Sequence, residues 1–245
     1  MKITEDLHVD REDGVHLVFP TPVLMHRWAE GGQWNGALAA AVRGLMAASP
    51  GHRVSNVGGW QSSGDLFDGA PEPILKLREE IHRAIRRYIE IAVRRKFKCR
   101  FTTFGWANVN RAGDVNLSHA HGAHHVSGVY YVETAEAAAD DPYRGRLELH
   151  DPRPAARVFV PPGFPFGRRL HIMPNPSRMV LFPSWIDHGV LPFQGAGERI
   201  SIAFNTVVRD FAYLDEAASS ASAATTRSTS PTDIAGNNGS DRQAS

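Results

Sequence analysis

Asn116-Leu117-Ser118-His119-Ala120-His121-Gly122-Ala123-His124-His125-Val126-Ser127-Gly128-Val129-Tyr130-Tyr131-Val132 holds four of the chain's 12 histidines within seven residues and runs straight into a β-branched and aromatic segment. Its second half predicts a strand. On an extended backbone alternate side chains share a face, so His119 and His121 project together. Two imidazoles on one face can grip a single metal ion, the other ligands coming from elsewhere in the chain. The same parity pairs Ser127, Val129 and Tyr131, which turns Tyr131 inward and Tyr130 outward. His124 and His125 fall in the turn after the pair and read as loop residues or supports of the ligands rather than ligands.

Downstream and immediately upstream of this stretch the pattern is β. Strands are predicted over 100–110, 117–121, 127–133, 146–150, 157–160, 171–173, 179–182 and 198–208, separated by turn signals such as Asp151-Pro152 and Pro161-Pro162-Gly163. Short strands at such spacing point to a sandwich or barrel. The strand 179–182 leads through Pro183-Ser184-Trp185-Ile186-Asp187 to His188-Gly189, placing a distal histidine at the mouth of that barrel. Eleven residues further on, Arg199-Ile200-Ser201-Ile202-Ala203-Phe204-Asn205 alternates strictly. Ile200, Ile202 and Phe204 face one way, and Arg199 and Ser201 the other. An arginine turned into a barrel needs an anion to offset its desolvation, and a guanidinium beside a hydroxyl suits a carboxylate. On the strand 100–110, Trp106, Asn108 and Asn110 share a face and are candidates to line the same pocket.

Before the strands come two helices. One is predicted over 28–48 and ends at Ser49-Pro50-Gly51; a longer one runs from Pro71 to about Lys96, with an apolar stripe of Ile74, Leu77, Ile81, Ala84, Ile85, Tyr88, Ile91 and Ala92. The arginines around that stripe read as a solvated face. The segment 55–63 is too rich in Gly and Ser for a regular element, and Trp60 and Trp185 are expected to anchor loops by packing. Residues 15–19 read as a short strand and 1–14 as a flexible N-terminus, and 217–245, nearly devoid of large apolar residues, is expected to be a disordered tail. The order gives an α+β class: helices backing one sheet of a single domain over 15–210, with a helical part at 28–97 and a β core at 100–208.

The combination of His-x-His, a distal histidine and Arg-x-Ser resembles the 2-oxoglutarate- and Fe(II)-dependent oxygenases of the prolyl-hydroxylase-like type. More narrowly, it is similar to a bacterial and phage family of such oxygenases through Phe19–Pro22, Gly58–Ser62, Ser127–Tyr131, Phe182–Trp185 and Arg199–Asn205. The resemblance implies a double-stranded β-helix (jelly-roll, cupin-like) core. It implies Fe(II) as cofactor, 2-oxoglutarate as cosubstrate and O2 as co-reactant, with release of succinate and CO2. His119 and His188 match the metal-binding histidines, whereas His121 stands where the wider superfamily carries a carboxylate. Strand parity favours His121 as a third imidazole ligand; Glu148 and Asp187 are the carboxylate alternatives. Arg199 and Ser201 match the pair that binds the distal carboxylate of 2-oxoglutarate, Tyr131 a tyrosine that shares it, and Asn108 and Asn110 stand beside the cosubstrate.

Composition narrows the partners. Charged residues make up 22% and apolar residues 42%, enough for a substantial core, and the net charge of +1 gives no case for nucleic acid. One cysteine, Cys99, rules out an internal disulfide framework, and no apolar run approaches the roughly 20 residues of a membrane span. The first residues lack the apolar core of a secretory signal, so the expected location is cytoplasmic. The expected activity is hydroxylation of an unactivated C–H in a small molecule, amino-acid-like or carboxylated. The arginine-bearing, Pro/Gly-rich segment 141–176 is a candidate lid. A homodimer is compatible with the sequence. Two other readings stand beside this one: a 2-oxoglutarate-independent three-histidine dioxygenase, which leaves Arg199 and Ser201 without a task, and a non-catalytic jelly-roll binding protein.

Overall fold

The computed structural model describes residues 20–153 and 167–214; the predicted strands at 15–19 and 157–160, the N-terminal 1–14 and the tail 217–245 lie outside the described residues. In chain order the elements are β1 (Leu24–Arg27), α1 (Gly31–Ala48), β2 (Asn56–Val57), β3 (Trp60–Gln61), α2 (Glu72–Val93), β4 (Phe97–Asn110), β5 (Val115–His119), β6 (Val126–Glu133), β7 (Glu136–Ala137), β8 (Leu147–His150), β9 (Arg169–Ile172), β10 (Arg178–Pro183), β11 (His188–Val190), β12 (Gly195–Ala196) and β13 (Arg199–Tyr213). A six-stranded sheet has the order β1-β10-β6-β13-β4-β3 and a five-stranded sheet the order β2-β5-β11-β8-β9.

The inner faces of these sheets meet. Val129, Tyr131, Val180 and Phe182 from the larger sheet pack with Leu147, Leu149 and Ile172 from the smaller. The outer face of the larger sheet is covered by the helices, where Ile74, Leu77, Ile81 and Ile85 of α2 pack with Tyr130, Ile200, Ile202 and Phe204. This is the expected jelly roll with helices behind one sheet. The alternation of β13 decides it: its apolar side chains face the helices and its polar ones face the gap between the sheets. Gly128 lets β6 lie close to its neighbours. A methyl there would come within 2.7 Å of the Val180 carbonyl oxygen and collide with the Phe204 ring.

Several expectations need correction. The long helix ends at Val93 rather than near Lys96, because Arg94 takes a left-handed conformation (φ 51°) that closes the last turn through its N–H to the Glu90 carbonyl. Its apolar stripe drifts in the last turns, so Ile89 is buried and Ile91 exposed. The segment 55–63 contains β2 and β3, each held as the edge of a sheet by its neighbour. Trp60 does anchor its loop, donating its indole N–H to the Ser49 carbonyl at 2.9 Å. Trp185 does not: it is 53% exposed.

Candidate active site

Between the sheets lies a cavity lined by residues of both. On its smaller-sheet side stand His119, His121 and His188, whose ligating nitrogens all lie within 4.8 Å of one another. His119 ends β5 and pairs across the ladder with His188 of β11. His121 lies just beyond the strand, which stops two residues short of the predicted end. Its backbone N–H is held instead by the Ser184 carbonyl at 2.8 Å, and this tether keeps its ring on the His119 face.

The ring orientations suit metal binding. His119 Nδ1 lies 2.7 Å from the Leu117 carbonyl oxygen and His188 Nδ1 2.9 Å from that of Ile186. A carbonyl only accepts, so each Nδ1 carries the proton and leaves the Nε2 lone pair free. Burial lowers the His121 pKa to about 3 and that of His188 to about 4, with the neighbouring histidines adding to the effect. Both are therefore neutral near pH 7, the form that binds a metal. The metal-free protein takes up these protons more readily when unfolded, where the pKa is near 6.5, than when folded. Its stability should therefore fall as pH drops from about 6.5 towards 4. Thermal unfolding of the metal-free protein across this range checks it, and a flat profile would contradict it.

Strand parity alone does not place all of the lining. Asn116 and His119 are three apart yet both face the cavity, because β5 bulges: two of its residues, Leu117 and Ser118, oppose the single Gly189 between the His119–His188 and Asn116–Val190 pairs. Gly189 is required there. A methyl would sit 3.0 Å from the Asn116 carbonyl oxygen and 3.3 Å from the Ser118 nitrogen, both rigid backbone. Gly189→Ala should cost about 1–3 kcal/mol of stability and weaken metal binding by pushing β5 from β11; denaturant melts and metal titration together test this.

Across the cavity, β13 contributes Arg199 and Ser201. Arg199 is 3% exposed. Its guanidinium donates to the Gly145 carbonyl at 3.5 Å and the Ser201 hydroxyl at 3.4 Å, while Nε has no partner. No carboxylate pairs with it among the described residues, and burial lowers its pKa. Tyr131 lies beside it, with ring centroid 5.8 Å from the guanidinium carbon, and burial raises the phenol to about 12. Asn108 is opposite Ser201 and lines the cavity with an unpartnered Oδ1. Asn110, opposite Arg199, is buried but is not among the lining residues.

The other candidates separate cleanly. Glu148 is not a ligand substitute. It projects from the other side of β8, where it binds His150 at 2.7 Å, His171 at 2.8 Å and Arg169 at 3.4 Å. Asp187 is exposed beside His188 and does not line the cavity. His125 is structural, its Nδ1 accepting from the Val208 N–H. His124 packs on Phe104 and lies outside the three-histidine group. Asp151 and Arg153 form the turn that was expected, and the arginines of the candidate lid lie partly outside the described residues. Sequence reasoning missed Gln61, Asn116 and Asn205 of the lining. Asn205 shares the parity of Arg199 and was legible; Asn116 was hidden by the bulge and Gln61 by its loop.

The residues present fit iron and 2-oxoglutarate: three neutral imidazoles converge on one side, and a buried cation without an anion stands on the other. Among the described residues, no helix is long and apolar enough to cross a membrane. No curated protein matches the chain in sequence. Solved structures do resemble it in fold. A Pseudomonas putida prolyl-4-hydroxylase is 18% identical, with a TM-score of 0.53, covering 76% of this chain and 91% of its own. A Trichoplax adhaerens prolyl hydroxylase, solved with a hypoxia inducible factor oxygen degradation domain peptide fragment, is 13% identical with a TM-score of 0.52, covering 76% and 83%. The non-heme alpha ketoglutarate dependent epimerase SnoN from nogalamycin biosynthesis is 12% identical with a TM-score of 0.54, covering 88% and 89%. Residues 105–205, which hold all three histidines, Tyr131, Arg199 and Ser201, match the family described as "Putative 2OG-Fe(II) oxygenase", whose members use Fe(II), 2-oxoglutarate and O2.

Proposed function

We propose that the chain is a 2-oxoglutarate-dependent hydroxylase, its catalytic unit spanning residues 15–210, that oxidises a C–H bond of a small molecule. One observation carries the reading: a buried guanidinium without an anion faces three convergent neutral imidazoles across one cavity. His119, His121 and His188 hold the metal. Arg199 and Ser201 receive the far carboxylate of 2-oxoglutarate, which offsets the desolvation of the guanidinium. Tyr131, neutral because its phenol titrates near 12, can donate to that same carboxylate without repelling it. The unpartnered Asn108 Oδ1 offers one further hydrogen-bond acceptor to a bound molecule. Leu147, Val129 and Phe182 give the cavity an apolar wall between the two ends. Bound iron would supply the coupled chemistry in which O2 converts 2-oxoglutarate to succinate and CO2 while the substrate C–H becomes C–OH.

The test is anaerobic addition of Fe(II), then 2-oxoglutarate. A weak visible charge-transfer band marks chelation, and admission of air should release succinate. Absence of both the band and succinate would refute the proposal. A substrate product heavier by one oxygen separates hydroxylation from other oxidative outcomes.

A further inference from the structure

The cavity that contains the three histidines has an unusual charge balance for a buried site. Among its described lining residues there is no aspartate or glutamate, and Arg199 is the single full charge. The carboxylates nearby are engaged elsewhere or turned out. Glu148 is tied to His150, His171 and Arg169 behind β8, and Asp114 accepts from the Arg111 N–H beyond the start of β5. Asp187 lies in solvent. On the reading proposed above, the two charges of a metal ion held by three neutral imidazoles, together with the one of Arg199, are only partly balanced by the 2-oxoglutarate dianion. One positive charge is left over in a site walled by Leu147, Val129 and Phe182. Were His121 a carboxylate, the same site would be neutral. A surplus charge in a partly enclosed cavity raises the affinity for an anion and opposes entry of a cation.

The mouth continues this polarity. Val54 and Ser55 line the cavity opening beside Asn116. Arg53, directly before them, is exposed and has no ion pair among the described residues. Polar groups at this end, namely Ser55, Asn116 and Gln61, are neutral hydrogen-bonding side chains, so among the described lining residues no carboxylate offsets the charge of an ammonium group.

We infer that the substrate is an organic anion, a carboxylate-bearing molecule whose negative charge enters the cavity and completes its neutrality, and that amines are excluded. This rests on the assignment of iron and 2-oxoglutarate to the site, and its test keeps the two apart. Protein loaded anaerobically with Fe(II) and saturating 2-oxoglutarate is titrated with matched trios that differ only in their end group: hexanoate, hexanamide and hexylamine; 3-phenylpropanoate, 3-phenylpropanamide and 3-phenylpropylamine. Binding is read by calorimetry, and the visible band is followed to show that 2-oxoglutarate stays bound. The carboxylate of at least one trio should bind about tenfold or more tighter than its amide and amine. His121→Asp, which restores a negative charge at the metal, should erase that preference while retaining the band. Equal or amine-favoured binding with the band intact overturns the inference alone. So does failure of every carboxylate to bind, displacement of 2-oxoglutarate by the carboxylate, or a preference that survives in His121→Asp. Absence of the band in the starting complex overturns the assignment of cofactors, and the inference with it.

Discussion

His188→Ala is expected to lower the affinity for Fe(II) by about 100-fold or more, since loss even of groups that merely orient ligands costs 10–100-fold. His188 is the most constrained of the three histidines. It is buried, sits in a strand laddered on both sides to β5 and β8, and has its Nδ1 fixed by the Ile186 carbonyl. Nothing else in the described residues can take its place, because Glu148 is turned to the other side of the sheet and Asp187 to solvent. Anaerobic metal titration measures the loss, and an unchanged circular dichroism spectrum shows that the fold persists. His121 gives the informative comparison. Its alanine variant should also lose affinity, whereas His121→Asp should keep it; an alanine variant with wild-type affinity would remove His121 from the ligand set.

Arg199→Met should have two effects of opposite sign. The side chain fills similar space without a charge, so it removes a buried guanidinium that no carboxylate compensates. Replacement of buried ionic groups by apolar side chains of similar volume is often neutral or stabilising, by up to about 4 kcal/mol, and each kcal/mol raises the melting temperature of a chain of this size by about 2–4 °C. The same change removes the partner of the distal 2-oxoglutarate carboxylate and should weaken cosubstrate binding by about 2–5 kcal/mol. Wild type should therefore melt higher with 2-oxoglutarate and the variant should not respond, although it starts from a higher baseline. A variant that melts lower than wild type when free of ligand, or that still responds to 2-oxoglutarate, would contradict this account of the residue.

Much of this site is legible in the sequence. Period-two alternation separates Arg199 and Ser201 from Ile200 and Ile202, and Tyr131 from Tyr130; β13 pairs in unbroken register with β4 over these residues, and its one register shift against β6, between Ile200 and Ser201, leaves that alternation intact. Same-face placement of His119 and His121 was also read correctly, although the backbone reaches it differently: the strand stops at His119, and the tether to Ser184 does the rest. What parity could not show was any position where the ladder is irregular. The bulge opposite Gly189 put Asn116 in the cavity, and β3, only two residues long, brought Gln61 there through pairing with β4. These depend on partners distant in sequence, so no local pattern announces them. Glu148 fails as a ligand candidate for a related reason. Its environment is set by His171, across the ladder in β9.

The two halves of the site differ in how firmly the backbone holds them. β13 is paired on one side with β4 and on the other with β6, so the amides from Ile200 to Asn205 should exchange with solvent only when the whole molecule opens. His121 instead follows the end of a strand, in a turn closed by its own carbonyl to the His124 N–H and by Ser184. Local opening there needs few bonds to break. Hydrogen exchange should accordingly be slow along Ile200–Asn205 and faster over 120–125, becoming slow over 120–125 when metal is added. In mild denaturant the protein should thus release its metal while the pocket for the carboxylate still stands, so reloading needs one turn to close rather than the barrel to refold.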